Sequence, residues 1–213
     1  MEFLPKIIED YALAHTAKES DLLAKLNRET WAKVIMPRML SGHMQGRVLS
    51  LFSKLVNPKN ILEIGTYTGY SSLCLAEGLN KNGKLHTIDC NEEVMQIANR
   101  YFEQSDYAKN IIPHIGDALA IIPKLETDLE LVFIDADKEN YCNYFDLVID
   151  KLSAGGIIIA DNVLWSGKVV EEVKDAETES LVTFSKKVHQ DKRVENILLP
   201  IRDGLMVCRK ISG

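Results

Sequence analysis

No run of apolar residues here approaches the roughly 18–20 needed to cross a bilayer; the longest strongly apolar stretches are Leu131–Ile134 and Ile157–Ala160. The first ten residues carry acids where a signal peptide would have a basic region, and they hold no useful apolar stretch. These absences predict a cytoplasmic protein with no membrane partner. Cysteine is sparse: Cys74, Cys90, Cys142 and Cys208 are too far apart for a Cys-x-x-Cys metal or redox pattern. Each lies in an apolar or periodic segment and reads as a reduced, small hydrophobe. Positive charge is also short, with 25 Lys+Arg against 31 Asp+Glu and a formal net charge of −6. That argues against a whole-surface grip on nucleic acid, which needs clustered cations, and leaves a local basic patch open. No internal repeat, low-complexity tract or Ser/Gly-rich linker interrupts the 213 residues. With 46% hydrophobic residues the chain can bury a sizeable core, and residues 1–213 read as one domain.

The pattern changes once, near residue 60. Before it, apolar residues recur at helical spacing: Phe3, Leu4, Ile7, Ile8, Tyr11 and Ala14, then Leu22, Leu23 and Leu26 after a cap at Ser20-Asp21. A third helix is predicted from Gly42 to Val56, with Met44, Val48, Leu51, Phe52 and Leu55 as its apolar stripe. Residues 1–56 are thus a helical cover, and 57–213 form the body. In the body, seven short apolar runs alternate with helix-like segments: Ile61–Ile64, Leu85–Ile88, Ile111–Ile115, Leu131–Ile134, Ile157–Ala160, Val194–Leu199 and Leu205–Cys208. Continuous apolar strands separated by helices predict an α/β fold, a mostly parallel sheet with both faces covered. Only Pro200–Gly204 separates the last two runs, a hairpin-length link that makes at least one C-terminal strand antiparallel.

Ligands of open α/β sheets bind beyond the carboxyl ends of the strands, so the residues ending each run carry the functional signal. The first run ends in Glu63-Ile-Gly65-Thr-Tyr67-Thr-Gly69-Tyr-Ser71, where two glycines allow a tight strand-to-helix turn. A nicotinamide enzyme wants glycine at the place held by Tyr67, so dinucleotide binding is disfavoured. Asp89, ending the second run, suits the hydroxyls of an adenosine ribose, and Glu63 suits an ammonium or sulfonium group. Asp117, before Ala118, fits either an adenine amino group or a helix N-cap. The fourth run ends at Asp135 and the fifth at Asp161-Asn162. Two carboxylates and an amide oxygen make an all-oxygen set for Mg²⁺, Ca²⁺ or Mn²⁺. Lys138 projects near the same place, where a neighbouring cation disfavours its ammonium form and lets it act as a general base.

The stretches Asp135-Ala-Asp-Lys-Glu-Asn-Tyr-Cys-Asn-Tyr144 and Asp161-Asn-Val-Leu-Trp-Ser-Gly-Lys-Val-Val170 closely resemble the caffeoyl-coenzyme A O-methyltransferases and their bacterial relatives, and more distantly catechol O-methyltransferase. The resemblance runs from Met39 to Ile211, including the Leu-Pro-x-x-Asp-Gly tail at Leu199–Gly204. It implies a Rossmann-like methyltransferase, a homodimer that uses S-adenosylmethionine and a divalent cation. By this resemblance Asp135, Asp161 and Asn162 hold the metal and Lys138 is the catalytic base. Met39, Ser41, Glu63, Gly65, Tyr67, Ser71, Asp89, Asp117, Ala118 and Asp135 serve the cofactor. Trp165 matches a residue shaping the acceptor pocket. Ser166 stands where the plant enzymes have Asn, a departure from their acceptor site. The implied acceptor is a catechol-like or caffeoyl-type hydroxyl, with the loop at Met39–Gly46 excluding water. Two rivals remain: methylation of an RNA hydroxyl, with Lys33, Arg38, Arg47 and Lys168 as a basic path, and a non-catalytic sensor of an adenosine ligand.

Overall fold

The computed structural model describes residues 5–211. Three helices come first: α1 (Lys6–Ala14), α2 (Asp21–Lys33) and α3 (Gly42–Val56). The body then alternates β1 (Asn60–Ile64), α4 (Tyr70–Ala76), β2 (Lys84–Asp89), α5 (Glu92–Glu103), β3 (Ile111–Ile115), α6 (Ala118–Ile121), β4 (Leu129–Ile134), α7 (Tyr141–Ile149) and β5 (Leu152–Ala160). It ends with α8 (Ala176–Gln190), β6 (Val194–Leu199) and β7 (Leu205–Lys210). The seven strands form one sheet in the order β3-β2-β1-β4-β5-β7-β6, parallel except for β7, which runs antiparallel to both β5 and β6. This is the Rossmann-like arrangement expected from the alternation of apolar runs and helices.

Alternate side chains of the continuous apolar strands feed two cores. Leu62, Ile64, Val132, Ile134 and Ile158 pack with Tyr141, Phe145, Leu181 and Phe184 of α7 and α8. On the opposite face Ile61, Leu131, Phe133 and Ile159 pack with Leu26, Leu49, Tyr70, Leu73, Met95 and Tyr101 of α2 to α5. Ser20 caps α2 by accepting from the Leu23 N–H at 3.3 Å, as its sequence position suggests. Helix α6 is short, because Pro123 turns residues 122–124 into a 3₁₀ segment.

The helical cover departs from its pattern. The face of α3 packed on the body carries Gln45, Gly46, Leu49, Ser50 and Ser53. Leu51 and Leu55, read as core, are exposed. Small residues win this face because α3 lies close to α4: a Cβ at Gly46 would meet Tyr70 Cε1 at 2.6 Å and Cys74 Sγ at 2.8 Å. The described part of α1 buries nothing, with Ile7, Ile8 and Tyr11 all exposed; Phe3 and Leu4 lie outside the described residues. The expected loop at Met39–Gly46 ends at Ser41, since residues 42–46 already belong to α3. All four cysteines are free, but Cys90 is exposed, because it leaves β2 in the loop before α5 rather than entering a core. Among the described residues no helix is long and apolar enough to cross a membrane.

Candidate active site

Register brings the functional strand ends together. Ile64 of β1 pairs with Ile134 of β4, and Ile134 with Ala160 of β5. The next residues, Gly65, Asp135 and Asp161, therefore leave the sheet side by side. The Asp135 N–H donates to Ile64 O at 2.8 Å, and the Asp161 N–H to Ile134 O at 2.9 Å, so both acids are tied to the last rung. β1 and β4 are also where the strand order reverses, the place at which open α/β sheets form a crevice.

Gly65 has φ +98°, and a Cβ there would lie 1.9 Å from the backbone oxygen of Asp135. Its missing side chain admits the end of β4. Tyr67 is left-handed at φ +51°. Its N–H donates to one Asp89 carboxylate oxygen at 2.8 Å, and the Asn91 N–H donates to the other at 2.9 Å. Asp89 is thereby fixed in orientation at the end of β2. The Tyr67 hydroxyl donates to Met36 O at 2.9 Å and Thr30 bonds Thr68 at 3.0 Å, docking the N-terminal helices on this turn. Ser41, Ser71 and Ala118 are buried, whereas Met39 is largely exposed. Asp117 caps α6, accepting from the Leu119 N–H at 2.9 Å.

Glu63 is wholly buried beneath the turn. One carboxyl oxygen accepts from the hydroxyls of Ser72 and Thr87, and the other has no partner among the described residues. Burial pushes this carboxyl up to about 7, against the pull of the Ser71, Ser72 and Thr87 hydroxyls and with help from the Asp135 charge. The folded protein then keeps a proton that the unfolded chain gives up above an ordinary value of 4.5. Glu63 consequently costs stability as pH rises from 4.5 to about 7, and the cost then levels. Glu63→Gln is expected to stabilise the ligand-free protein near pH 8 by up to about 3 kcal/mol relative to pH 4. Denaturant unfolding at the two pH values checks this; an unchanged difference between variant and parent would mean the carboxyl ionises freely.

The second centre lies across the crevice. Asp161 is buried, accepting from Gln45 Nε2 at 2.6 Å on one oxygen and from the Asn162 N–H at 2.7 Å on the other. Its carboxyl is held well above the usual range, first by burial and then by the negative charge of Asp135. Lys138, also buried, donates to Asp135 Oδ1 at 3.1 Å and to the Tyr141 hydroxyl at 2.7 Å. The Tyr141 hydroxyl in turn donates to Asp161 O at 3.0 Å. The ring of Trp165 lies 5.7 Å from Lys138 Nζ, and its indole Nε1–H is buried without a partner among the described residues. Asn162, Trp165 and Ser166 have φ of 60°, 46° and 54°, so the chain doubles back after β5. Ser166 is exposed, and its N–H donates to Asp203 of the β6–β7 turn at 2.5 Å.

Two neighbouring carboxylates, one buried with no cation in contact, are unfavourable unless a positive charge comes between them. Among the described residues no third Asp, Glu, His or Cys joins them. A metal here would draw on Asp135, Asp161 and an amide oxygen, for which Asn162 stands next in the chain. That set fits a hard divalent ion that keeps open positions. Gln45 and Tyr141 carry no local sequence signal of their part in this site. Gln45 lies 116 residues from Asp161, and its one hint is a polar residue beside Gly46 on a helix whose inward face the apolar spacing does not mark.

A family model described as O-methyltransferase matches residues 13–211. A caffeoyl-CoA O-methyltransferase of Eucalyptus globulus is 37% identical over 199 residues, covering 87% of this chain and 80% of its own length. The S-adenosylhomocysteine-bound structure of a Podospora anserina methyltransferase is 26% identical with a TM-score of 0.89, covering 99% of each chain. An O-methyltransferase involved in tomaymycin synthesis in Streptomyces achromogenes, solved with S-adenosylmethionine, is 26% identical with a TM-score of 0.88, covering 97% of this chain and 96% of its own.

Proposed function

The chain belongs to the O-methyltransferase family, and we propose that it methylates one of two adjacent aromatic hydroxyls with the help of a divalent cation. It is an S-adenosylmethionine-dependent O-methyltransferase. The observation that carries the acceptor reading is the pair Asp135 and Asp161 at neighbouring strand ends, with the Lys138 amine bonded to one of them. When bound, a divalent cation, Mg²⁺ in the first instance, supplies Lewis acidity to oxygens in its open positions.

The residues divide the work between the two sides of the crevice. Asp135, Asp161 and Asn162 hold the cation, and Gln45 orients Asp161 through its 2.6 Å bond. Lys138 receives the acceptor's proton at Nζ; the bonds to Asp135 and Tyr141 hold that nitrogen in place. Such help is needed because a free phenol, with a pKa of about 10, is mostly protonated at neutral pH. Trp165 and Ser166 line the acceptor side, and Trp165 shields the amine from water. On the cofactor side Asp89 takes the ribose hydroxyls, and Asp117 with Ala118 takes the adenine. Gly65, Tyr67 and Ser71 shape the turn, with Met39 and Ser41 above it. The unpartnered oxygen of buried Glu63 favours the positive charge of the methyl donor.

The rival with an RNA acceptor loses its basic path. Lys33 pairs with Glu29, Lys168 with Asp175, and Arg47, half-buried, with Glu77, leaving Arg38 of the four cations proposed. The exposed apolar stripes of α1 and α3 support the homodimer, because a second copy would cover them. Four free thiols support a cytoplasmic setting. Labelled S-adenosylmethionine with Mg²⁺, offered to a vicinal dihydroxy aromatic, its single-hydroxyl analogue and unmethylated RNA, tests the acceptor. Label on the dihydroxy compound, with the analogue at least about a hundredfold slower, is expected. Label on RNA alone would overturn the reading.

A further inference from the structure

Strands β2 and β3 carry a pair of histidines that the reaction above does not use. Register sets His86 opposite Ile112 and His114 opposite Ile88, so the two side chains are diagonal neighbours on one face of the sheet. His86 Nδ1 and His114 Nε2 lie 3.0 Å apart, with the ring planes inclined by 19° and the centroids 5.3 Å apart. β3 is an edge strand, and both histidines are half-buried. Neither ring has another hydrogen-bond or ion-pair partner among the described residues. Lys84, on the same face of β2, turns its amine to Lys109 O at 2.7 Å. Burial holds both imidazoles below their usual range, and for His86 the charges of His114 and Lys84 act in the same direction. Both rings are therefore neutral at ordinary pH.

A neutral imidazole has one N–H and one lone pair. With a single hydrogen between the facing nitrogens, one ring donates to the other. With each hydrogen on the outer nitrogen instead, His86 Nε2 and His114 Nδ1, the two inner lone pairs face each other and call for a cation between them. Zinc–imidazole bonds of about 2.0–2.1 Å in a tetrahedral array place two nitrogens about 3.3 Å apart. A small rotation of the rings, opening the pair by a few tenths of an ångström, would seat such an ion.

We propose that His86 and His114 form a second metal site, for a borderline divalent ion, Zn²⁺ in the first instance, that clamps β3 to β2. Paired imidazoles suit such an ion, whereas the carboxylate and amide oxygens of the crevice suit a harder one. No third His, Cys, Asp or Glu joins the pair among the described residues, so water completes the coordination at this half-open edge. Each histidine lies three residues before an acid, Asp89 or Asp117, so an ion here braces the two strands that present those acids. The site stands independently of the methyl-transfer reading.

The chain has five histidines, few enough to follow one by one. Full-length protein carrying isotope-labelled histidine is stripped with chelator, saturated with Mg²⁺ and titrated with Zn²⁺ at neutral pH, while the ring nitrogens are read by NMR. The signals of His86 Nδ1 and His114 Nε2 are expected to move together with one Zn²⁺ dependence, and to stay in place with Mg²⁺ alone. His15, His43 and His189 are the internal controls. Zn²⁺ should also raise the melting temperature of the parent by about 3 °C more than that of His86→Gln or His114→Gln. In each variant the remaining ring of the pair should need at least about tenfold more Zn²⁺ to respond. Zn²⁺ held by the crevice carboxylates or by Cys90 would leave the paired rings unmoved and overturn the proposal. So would movement of one ring alone, or an equal response in parent and variants. The spectrum of the parent decides even where a variant does not fold.

Discussion

Asp161→Ala is expected to lower methyl transfer about a thousandfold while leaving the affinity for S-adenosylmethionine within a few-fold. The asymmetry follows from position. Asp161 ends β5, on the far side of Asp135 from the turn after β1 and from Asp89 at the end of β2. Its carboxylate has no hydrogen bond to that turn; it is held by Gln45 and by its own neighbour. Loss of a cation that stabilises developing charge by about 4 kcal/mol corresponds to roughly three orders of magnitude in rate. The fold should survive, because the substitution removes a buried carboxyl that already ionises reluctantly beside Asp135. Asp161→Asn separates charge from shape: it keeps an oxygen for the Gln45 amide, fills the same space and should still fail in turnover. Steady-state rates with calorimetric titration of the cofactor measure both effects. Activity within about tenfold of the parent, or equal loss of cofactor binding, would remove Asp161 from the metal site.

Gly65→Ala should be among the most damaging single changes to the fold. A methyl group there would lie 1.9 Å from the Asp135 carbonyl oxygen and 2.7 Å from its carbon. That carbonyl cannot yield easily, since the Asp135 N–H is bonded to Ile64 O and β4 is paired on both sides. The backbone angle of +98° adds strain of its own. We expect a loss above about 4 kcal/mol, a large part of the 5–15 kcal/mol that ordinarily holds a domain folded. The variant should melt more than about 10 °C lower or fail to accumulate. Gly155→Ala is the control: its φ is also positive, +80°, but the nearest atom to an added Cβ is an Arg209 side-chain nitrogen at 3.6 Å. It should cost only backbone strain, about 1–2 kcal/mol. Equal melting shifts for the two would show that the close approach of β4 is not what Gly65 serves.

The body of the protein was legible because its strands are buried on both faces and so read as unbroken apolar runs. Register did the rest: parallel strands that end at the same rung necessarily bring Gly65, Asp135 and Asp161 together. The C-terminal hairpin was visible in the five residues between its two runs. The helical cover was not legible in the same way. Apolar periodicity in α3 marks Leu51 and Leu55, but the close approach of α4 selects Gly46, Ser50 and Ser53 for the inner face. Apolar residues turned outward on α1 and α3 answer to something other than this chain's own core. The polar groups that support the site were hidden for a related reason. Gln45 and Tyr141 act on Asp161 through contacts between segments far apart in sequence, which no local spacing reveals. Asp89 and Asp117 are visible in the sequence; the N-cap read there for Asp117 is present on α6, and the structure adds that Asp89 secures Tyr67.

The proposed dependence on a divalent cation is best measured on the unaltered enzyme. Methyl transfer to a vicinal dihydroxy aromatic is followed as chelator strips the protein and Mg²⁺ is then returned. Loss of nearly all activity on chelation, with cofactor still bound, and its recovery on adding Mg²⁺ is the expected result. Transfer that continues at the full rate in chelator would contradict a catalytic cation at Asp135, Asp161 and Asn162.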